Sequence, residues 1–215
     1  MQSTDVSDFI IVAYGRAWVS GLGRRIGIFG ARTGRPQGSV PVPQEPCGAP
    51  AAGFGAIWTA TCGHPRGVVR IDPHKARVTD RVNVPIAQPE SSLGAGEGAV
   101  WAIANGSGCS NCVLVRIDPD TVTVTDRFPV PPGAFAVRAG LGGVWITYFE
   151  DSNVRRVDPT NGAIQATIPV GPHPAFLDVG SGSIWVMASD DGALCQIDPH
   201  TNHVTACTVV EPGGG

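Results

Sequence analysis

Residues 142 to 174 contain Gly142-Gly143-Val144-Trp145-Ile146, then Val157-Asp158-Pro159-Thr160-Asn161-Gly162, a run from Ile164 to Val170, and Gly171-Pro172-His173-Pro174. Consecutive apolar residues around Trp145 mark a strand covered on both faces, and the glycine three residues before it supplies a tight turn. Asp followed by Pro is hairpin chemistry: Asp bonds back to the local backbone, Pro presets φ, and Asn or Gly tolerates the left-handed position. The run from Ile164 to Val170 is apolar at alternate positions, the period of a strand. Pro169 within it cannot donate to a ladder, which confines that strand to a sheet edge.

Working outward, the same pieces recur along the whole chain. The five Trp are Trp18, Trp58, Trp101, Trp145 and Trp185, spaced by 40, 43, 44 and 40 residues. Gly15, Gly55, Gly98, Gly142 and Gly182 each lie three positions before a Trp, and the residue before each Trp is Ala, Ile or Val. Aliphatic-Asp-Pro follows at Ile71-Asp72-Pro73, Ile117-Asp118-Pro119, Val157-Asp158-Pro159 and Ile197-Asp198-Pro199. The first unit keeps only Phe29-Gly30-Ala31-Arg32-Thr33-Gly34 at that place. A self-similarity of this length means a repeat architecture.

Each unit reads as four strands. Strand A runs up to the glycine turn, strand B carries the Trp, strand C ends at Asp-Pro, and strand D is the outer edge. Sheets covered on both faces and stacked radially make a propeller. The chain is therefore expected to be all-β, a β-propeller of five four-stranded blades or a five-blade portion of a larger one. It forms one domain over 1–215, with repeats at about 6–43, 44–85, 86–131, 132–171 and 172–211. A buried Trp removes roughly 150 to 250 Å² from water, an upper bound of about 4 to 6 kcal/mol, so the five should dominate contacts between blades.

Composition agrees with short elements and tight turns: 29 Gly, 19 Pro and only 15% charged residues in 215. The formal net charge is −3 and the five His are scattered, so no basic stripe offers itself to phosphates and no nucleic-acid partner is expected. The longest apolar run, Phe9 to Ala13, is far shorter than a membrane span. Six Cys favour an oxidising, extracytoplasmic compartment, although no export signal is read in the first residues; a longer reading frame would reconcile the two.

The pattern G-x-[AIV]-W, then [IV]-D-P-x-[TN], then an edge strand and a Pro-containing link such as Gly171-Pro172-His173-Pro174, resembles the YVTN and virginiamycin B lyase-like β-propeller superfamily. The resemblance covers essentially the whole chain. It implies the fold strongly and the activity weakly, since such repeats occur in lyases, lactonase-like enzymes, quinoprotein-like proteins and purely binding or sensor domains. Streptogramin lyases hold a divalent metal with His and Glu on one face, and that set is not matched here residue by residue. Six to eight blades are usual in the superfamily. An open five-blade portion would expose an apolar end face and self-associate.

Cys47 and Cys62 are equidistant from the Phe54-Gly55 turn and are expected opposite each other as a disulfide. Cys195 and Cys207 are expected as diagonal neighbours across the last hairpin, close enough to bond. Cys109-Ser110-Asn111-Cys112 reads as a loop-closing disulfide, since a zinc site needs a second pair and a redox motif needs a helical context.

In a propeller the B–C and D–A loops share one rim, the usual ligand face. Arg24, Arg25, His64, Arg66, Glu150, Asp151, His173, Asp190 and Asp191 fall there. Of these, Glu150, Asp151, His173, Asp190 and Asp191 form the candidate ligand set. Glu150-Asp151 and Asp190-Asp191 occupy the same loop in adjacent units, so four carboxylates could meet and hold a divalent cation such as Ca²⁺ or raise one carboxyl pKa. No G-x-S-x-G, H-E-x-x-H, Walker loop or dinucleotide fingerprint is present, and no other cofactor is evident. The leading expectation is a non-enzymatic binding or sensor propeller that presents this rim to a protein or small ligand. The alternative is a divalent-metal-dependent lyase or lactonase-like enzyme.

Overall fold

A computed structural model describes residues 9–21, 23–62, 64–87, 93–104 and 111–210. Blade 1 comprises β1 (Phe9–Ala13), β2 (Arg16–Ser20), β3 (Arg25–Gly30) and β4 (Pro36–Pro41). Blade 2 follows with β5 (Ala51–Gly53), β6 (Ala56–Thr61), β7 (Gly67–Asp72) and β8 (Arg77–Val82), and blade 3 with β9 (Leu93–Gly96), β10 (Ala99–Ala104), β11 (Val113–Asp118) and β12 (Thr123–Pro129). Blade 4 holds β13 (Ala134–Gly140), β14 (Gly143–Tyr148), β15 (Asn153–Val157) and β16 (Ile164–Pro169). Blade 5 holds β17 (Pro174–Gly180), β18 (Ser183–Ala188), β19 (Ala193–Asp198) and β20 (His203–Val209). Each blade is an antiparallel sheet in simple sequence order, and the fourth strand, which carries a proline in blades 1, 3 and 4, is its outer edge, where proline is tolerated. No described residue is helical, and so no described helix is long and apolar enough to cross a membrane.

Two local devices repeat in every blade. The A–B hairpin turns through Tyr14-Gly15, Phe54-Gly55, Glu97-Gly98, Leu141-Gly142 or Ser181-Gly182, and both residues of each pair have positive φ. That is the type I′ geometry that matches strand twist, and glycine occupies its second position without a Cβ penalty. The Trp, on the second strand of the hairpin three residues past the turn glycine, is tied to the same hairpin: indole Nε1 donates to the carbonyl of the residue five earlier, as in Trp101 to Gly96 at 3.0 Å and Trp145 to Gly140 at 2.9 Å. The second device is a one-residue bulge between strands C and D, at Ile28/Phe29, Arg70/Ile71, Arg116/Ile117, Arg156/Val157 and Gln196/Ile197. A bulge bends the strand and increases its twist.

Packing between blades follows one rule. Trp145 of blade 4 packs in one cluster with Ile184, Val186 and Ile197 of blade 5. Trp101 packs likewise with Val144, Ile146 and Val157, Trp58 with Val100, Ala102 and Ile117, and Trp18 with Ile57, Val69 and Ile71. These four Trp are fully buried. Around the axis the inner strands approach closely: a Cβ on Gly96 would sit 2.4 Å from the Ala139 carbonyl oxygen. The inner strands of all five blades line an axial cavity of about 280 Å³, bordered by Ile10, Ala51, Ala95, Arg138 and Asp178 among others.

The two disulfides form, with the geometries of the two hairpins interchanged relative to expectation. Cys195 and Cys207 face each other directly, 4.0 Å apart at Cα, because the bulge at Gln196/Ile197 advances the register by one. Cys47 and Cys62 are diagonal at 5.7 Å. There the short β5 ends at Ala51 and the chain re-pairs at Pro46 opposite Thr61, two residues out of the inner register. Cys112 is also disulfide-bonded, and Cys109 lies outside the described residues.

Candidate functional site

The rim between blades 4 and 5 is built by three connections: the β14–β15 loop, the β16–β17 link and the β18–β19 loop. Bulges at the start of β13 (between Ala134 and Val137) and β17 (between Pro174 and Leu177) interrupt regular alternation at the positions of Phe135 and Phe176. The link is held to its neighbours by Val170 N–H donating to the Ser152 carbonyl at 3.0 Å and Ser189 N–H donating to the His173 carbonyl at 3.2 Å. His173, between two prolines, has φ of 50°.

Its ring stacks on Phe149, centroids 4.5 Å apart and planes 18° apart. Phe149 in turn meets Phe135 at 5.8 Å, and Phe135 meets Phe176 edge-on at 6.2 Å. On the other side His173 Nδ1 lies 2.5 Å from Asp190 Oδ2, and Nε2 lies 3.9 Å from Glu150 Oε2. The imidazole is therefore held by an aromatic face and by Asp190 at Nδ1, with Glu150 facing Nε2 beyond hydrogen-bond distance. The Glu150 side chain is 81% exposed and that of Asp190 55%, so both retain oxygens for a visitor.

The four carboxylates do not act as one group. Asp151 turns to Arg155 at 2.8 Å, whose guanidinium lies 3.9 Å over the ring of the buried Tyr148. Burial pushes the Tyr148 hydroxyl up to about 12. Asp191 lies beside the link, its Oδ2 placed 3.3 Å from where a Cβ on Gly171 would stand. Among the described residues, no three His, Cys, Asp or Glu side chains converge to hold a metal ion.

The cationic rim residues of the first two blades are used in part as staples. Arg24 donates to the Pro43 carbonyl, and Arg66 donates to that of Ile86 at 2.9 Å, fastening the links that lead into the next blade. Arg25 sits in β3 opposite Pro41, and His64 borders a shallow groove with Arg66 and Asn83.

Sequence reasoning missed the three phenylalanines. Phe149 had a readable signal, an aromatic directly before the acidic pair in a loop. Phe135 and Phe176 did not, because in a strand read with regular alternation they pass for core positions.

What the arrangement offers chemically is an aromatic shelf fringed by carboxylates. Ring faces and carboxylates both attract cations, and the shelf accepts apolar surface.

No family model matches the chain, and no curated protein matches it in sequence. Its structure is similar to that of a Bacteroides caccae protein of unknown function, with TM-score 0.66 at 16% identity over 89% of this chain and 70% of that one. It is also similar to AztD of Citrobacter koseri, with TM-score 0.58 at 14% identity; the match covers 97% of this chain and spans 59% of the length of AztD. At these identities the likeness speaks to fold alone, and with the five sheets described above it establishes the chain as a five-bladed β-propeller.

Proposed function

We propose that the protein is a binding or sensor propeller whose blade 4–blade 5 rim captures a ligand bearing a cationic group on an apolar stem, such as a lysine or arginine side chain or an alkylammonium. The observation that carries this reading is the stack of His173 on Phe149 with Glu150 and Asp190 at its edge. An aromatic face contributes about 0.5 to 2 kcal/mol to cation binding, and adjacent carboxylates add both attraction and direction. The disulfides favour an oxidising, extracytoplasmic setting. The repeat pattern supports kinship with YVTN and virginiamycin B lyase-like propellers.

The competing reading is a divalent-cation enzyme at the same rim, favoured by His173 lying between two carboxylates. One calorimetric series separates them. Hexyltrimethylammonium and an arginine-rich peptide are titrated into wild type, Phe149→Ala and Glu150→Gln, followed by Ca²⁺, Mg²⁺ and Mn²⁺. Organic cations should bind wild type and lose roughly tenfold with either substitution, the equivalent of about 1.4 kcal/mol. Heat from the metals alone, with none from the organic cations, would sink the proposal in favour of the enzyme.

A further inference from the structure

In every A–B hairpin one residue of the innermost strand is the register partner of the Trp: Ile11, Ala51, Gly94, Arg138 and Asp178 stand across from Trp18, Trp58, Trp101, Trp145 and Trp185. Three blades fill this position with an apolar residue or glycine, and blades 4 and 5 place opposite charges there. The repeat does not ask for them, and both border the axial cavity of about 280 Å³. The pair is not closed on itself. Arg138 Nε stands 3.7 Å from Asp178 Oδ1, and the Asp178 side chain is 83% exposed, an arrangement beyond hydrogen-bond distance that contributes little to stability. Only Nη1 of the guanidinium acts as a staple, donating to the Leu93 and Val137 carbonyls at 3.0 and 2.9 Å; Nη2 has no partner among the described residues. Asp178 Oδ1 accepts the Val179 N–H at 2.9 Å, which leaves Oδ2 open. Burial pulls the Arg138 guanidinium below its usual value and Asp178 opposes that shift, as expected of a cation taken from water without a hydrogen-bonded anion.

We propose that the axial cavity binds a small aliphatic α-amino acid, with its carboxylate on Arg138 and its ammonium on Asp178. A ligand of single charge is attracted by one member of the pair and repelled by the other, so a zwitterion is the complement of both. Guanidinium and carboxylate each form their strongest hydrogen bonds with a charged partner of opposite sign. Ala51, Ala95 and Ala139, with Ile10 and Val179, supply apolar walls for a short side chain, and the volume sits at the small end of ligand pockets. The inference does not rest on the rim reading, since Phe149, His173, Glu150 and Asp190 do not border this cavity.

The test is calorimetric titration of Phe149→Ala, in which the rim is silenced and the cavity untouched, with L-valine and its two half-charged analogues, isovalerate and isobutylammonium. L-Valine should bind, and each analogue should bind about tenfold more weakly or worse. Asp178→Asn, added to the same background, changes an exposed side chain, so melting should be unaltered. It should weaken L-valine about tenfold and strengthen isovalerate, because the repulsion is gone while Arg138 remains. Arg138→Met should abolish binding of L-valine and, with its staple lost, also lower the melting temperature; Asp178→Asn keeps the test decisive if that variant does not fold. Absence of heat from L-valine at millimolar concentration would overturn the proposal. So would isovalerate binding as tightly as L-valine, the mark of a plain anion site, or an affinity for L-valine that Asp178→Asn leaves unchanged, the mark of a pair that serves only the blades.

Discussion

At one end of the propeller, five A–B hairpins turn through an x-Gly pair with both residues at positive φ, and four C–D hairpins turn through Asp-Pro. At the other end a backbone bond from the close of the fourth strand recurs, as in Val42 to Arg24 and Val170 to Ser152, but the side chains of the described loops differ: Arg24 and Arg66 staple links in blades 1 and 2, while an aromatic and acidic group gathers between blades 4 and 5. The sheets are the same, so the difference is not demanded by the fold. Residues that recur at one end solve a problem common to all blades, how to reverse direction with the right twist. Residues that depart from the repeat at the other end are released from that duty and are available for recognition. The comparison predicts that substitutions in the repeated machinery cost stability and that those in the irregular rim cost binding.

The largest effect belongs to the repeated Trp. Trp145→Ala removes a fully buried ring, its bond to Gly140 and its packing on Ile184, Val186 and Ile197. A loss of about 3 to 5 kcal/mol is expected in urea unfolding. Trp185→Ala, which removes a half-buried ring, should cost about 1 kcal/mol or less. Equal losses at the two positions would mean that stability does not follow the packing between blades.

A smaller effect isolates the turns from the packing. A Cβ on Gly98 would meet nothing within 4 Å, and its φ is 76°. Gly98→Ala therefore tests backbone conformation alone, at about 1 to 2 kcal/mol. Asn, which tolerates the left-handed region, should recover part of the loss.

The contrast between the two ends also explains what could be read from the residues. Repetition made the turns, strand order and edge strands legible, since five copies of one local signal reinforce one another. The register shifts were not legible. Nothing in Gln196-Ile197 announces a bulge, and one extra residue there decides whether Cys195 faces Cys207 directly. The same limit hid the rim. Glu150, His173 and Asp190 could be placed on adjacent loops by counting from the Trp. That Asp151 would leave for Arg155, and that Phe135 would join Phe149, depends on bulges and side-chain direction, which a period-two pattern does not encode.

The Asp-Pro turns should show themselves in acid. The Lys75 N–H holds the Asp72 carboxyl below the usual aspartate range, as the Thr121 N–H does for Asp118, the Thr160 hydroxyl for Asp158 and the His200 N–H for Asp198. A carboxyl lowered on folding stabilises the fold fully above its ordinary value near 3.8. That contribution disappears as pH falls through the lower folded value. Melting temperature should thus drop below about pH 4. Changing all four to Asn should flatten that limb while leaving the curve near neutrality almost parallel to wild type. An unchanged acid limb would mean that these turns do not distinguish one end of the propeller from the other.

The smallest stability effect, and the sharpest test of the rim, is His173→Gly. A non-glycine residue at φ of 50° sits in a region that costs about 1 to 2 kcal/mol, so removing the Cβ relieves the backbone. The same change removes the stack on Phe149 and the bond to Asp190, with aromatic pairing contributing about 0.5 to 1.5 kcal/mol. The two contributions oppose each other, and the net change should lie within about 0.5 kcal/mol of zero, while binding of organic cations is abolished. A loss comparable to that of Gly98→Ala, with binding retained, would make His173 one more structural residue. In that case the irregular rim would be held together for the sake of the blades, and recognition would have to be sought elsewhere on the propeller.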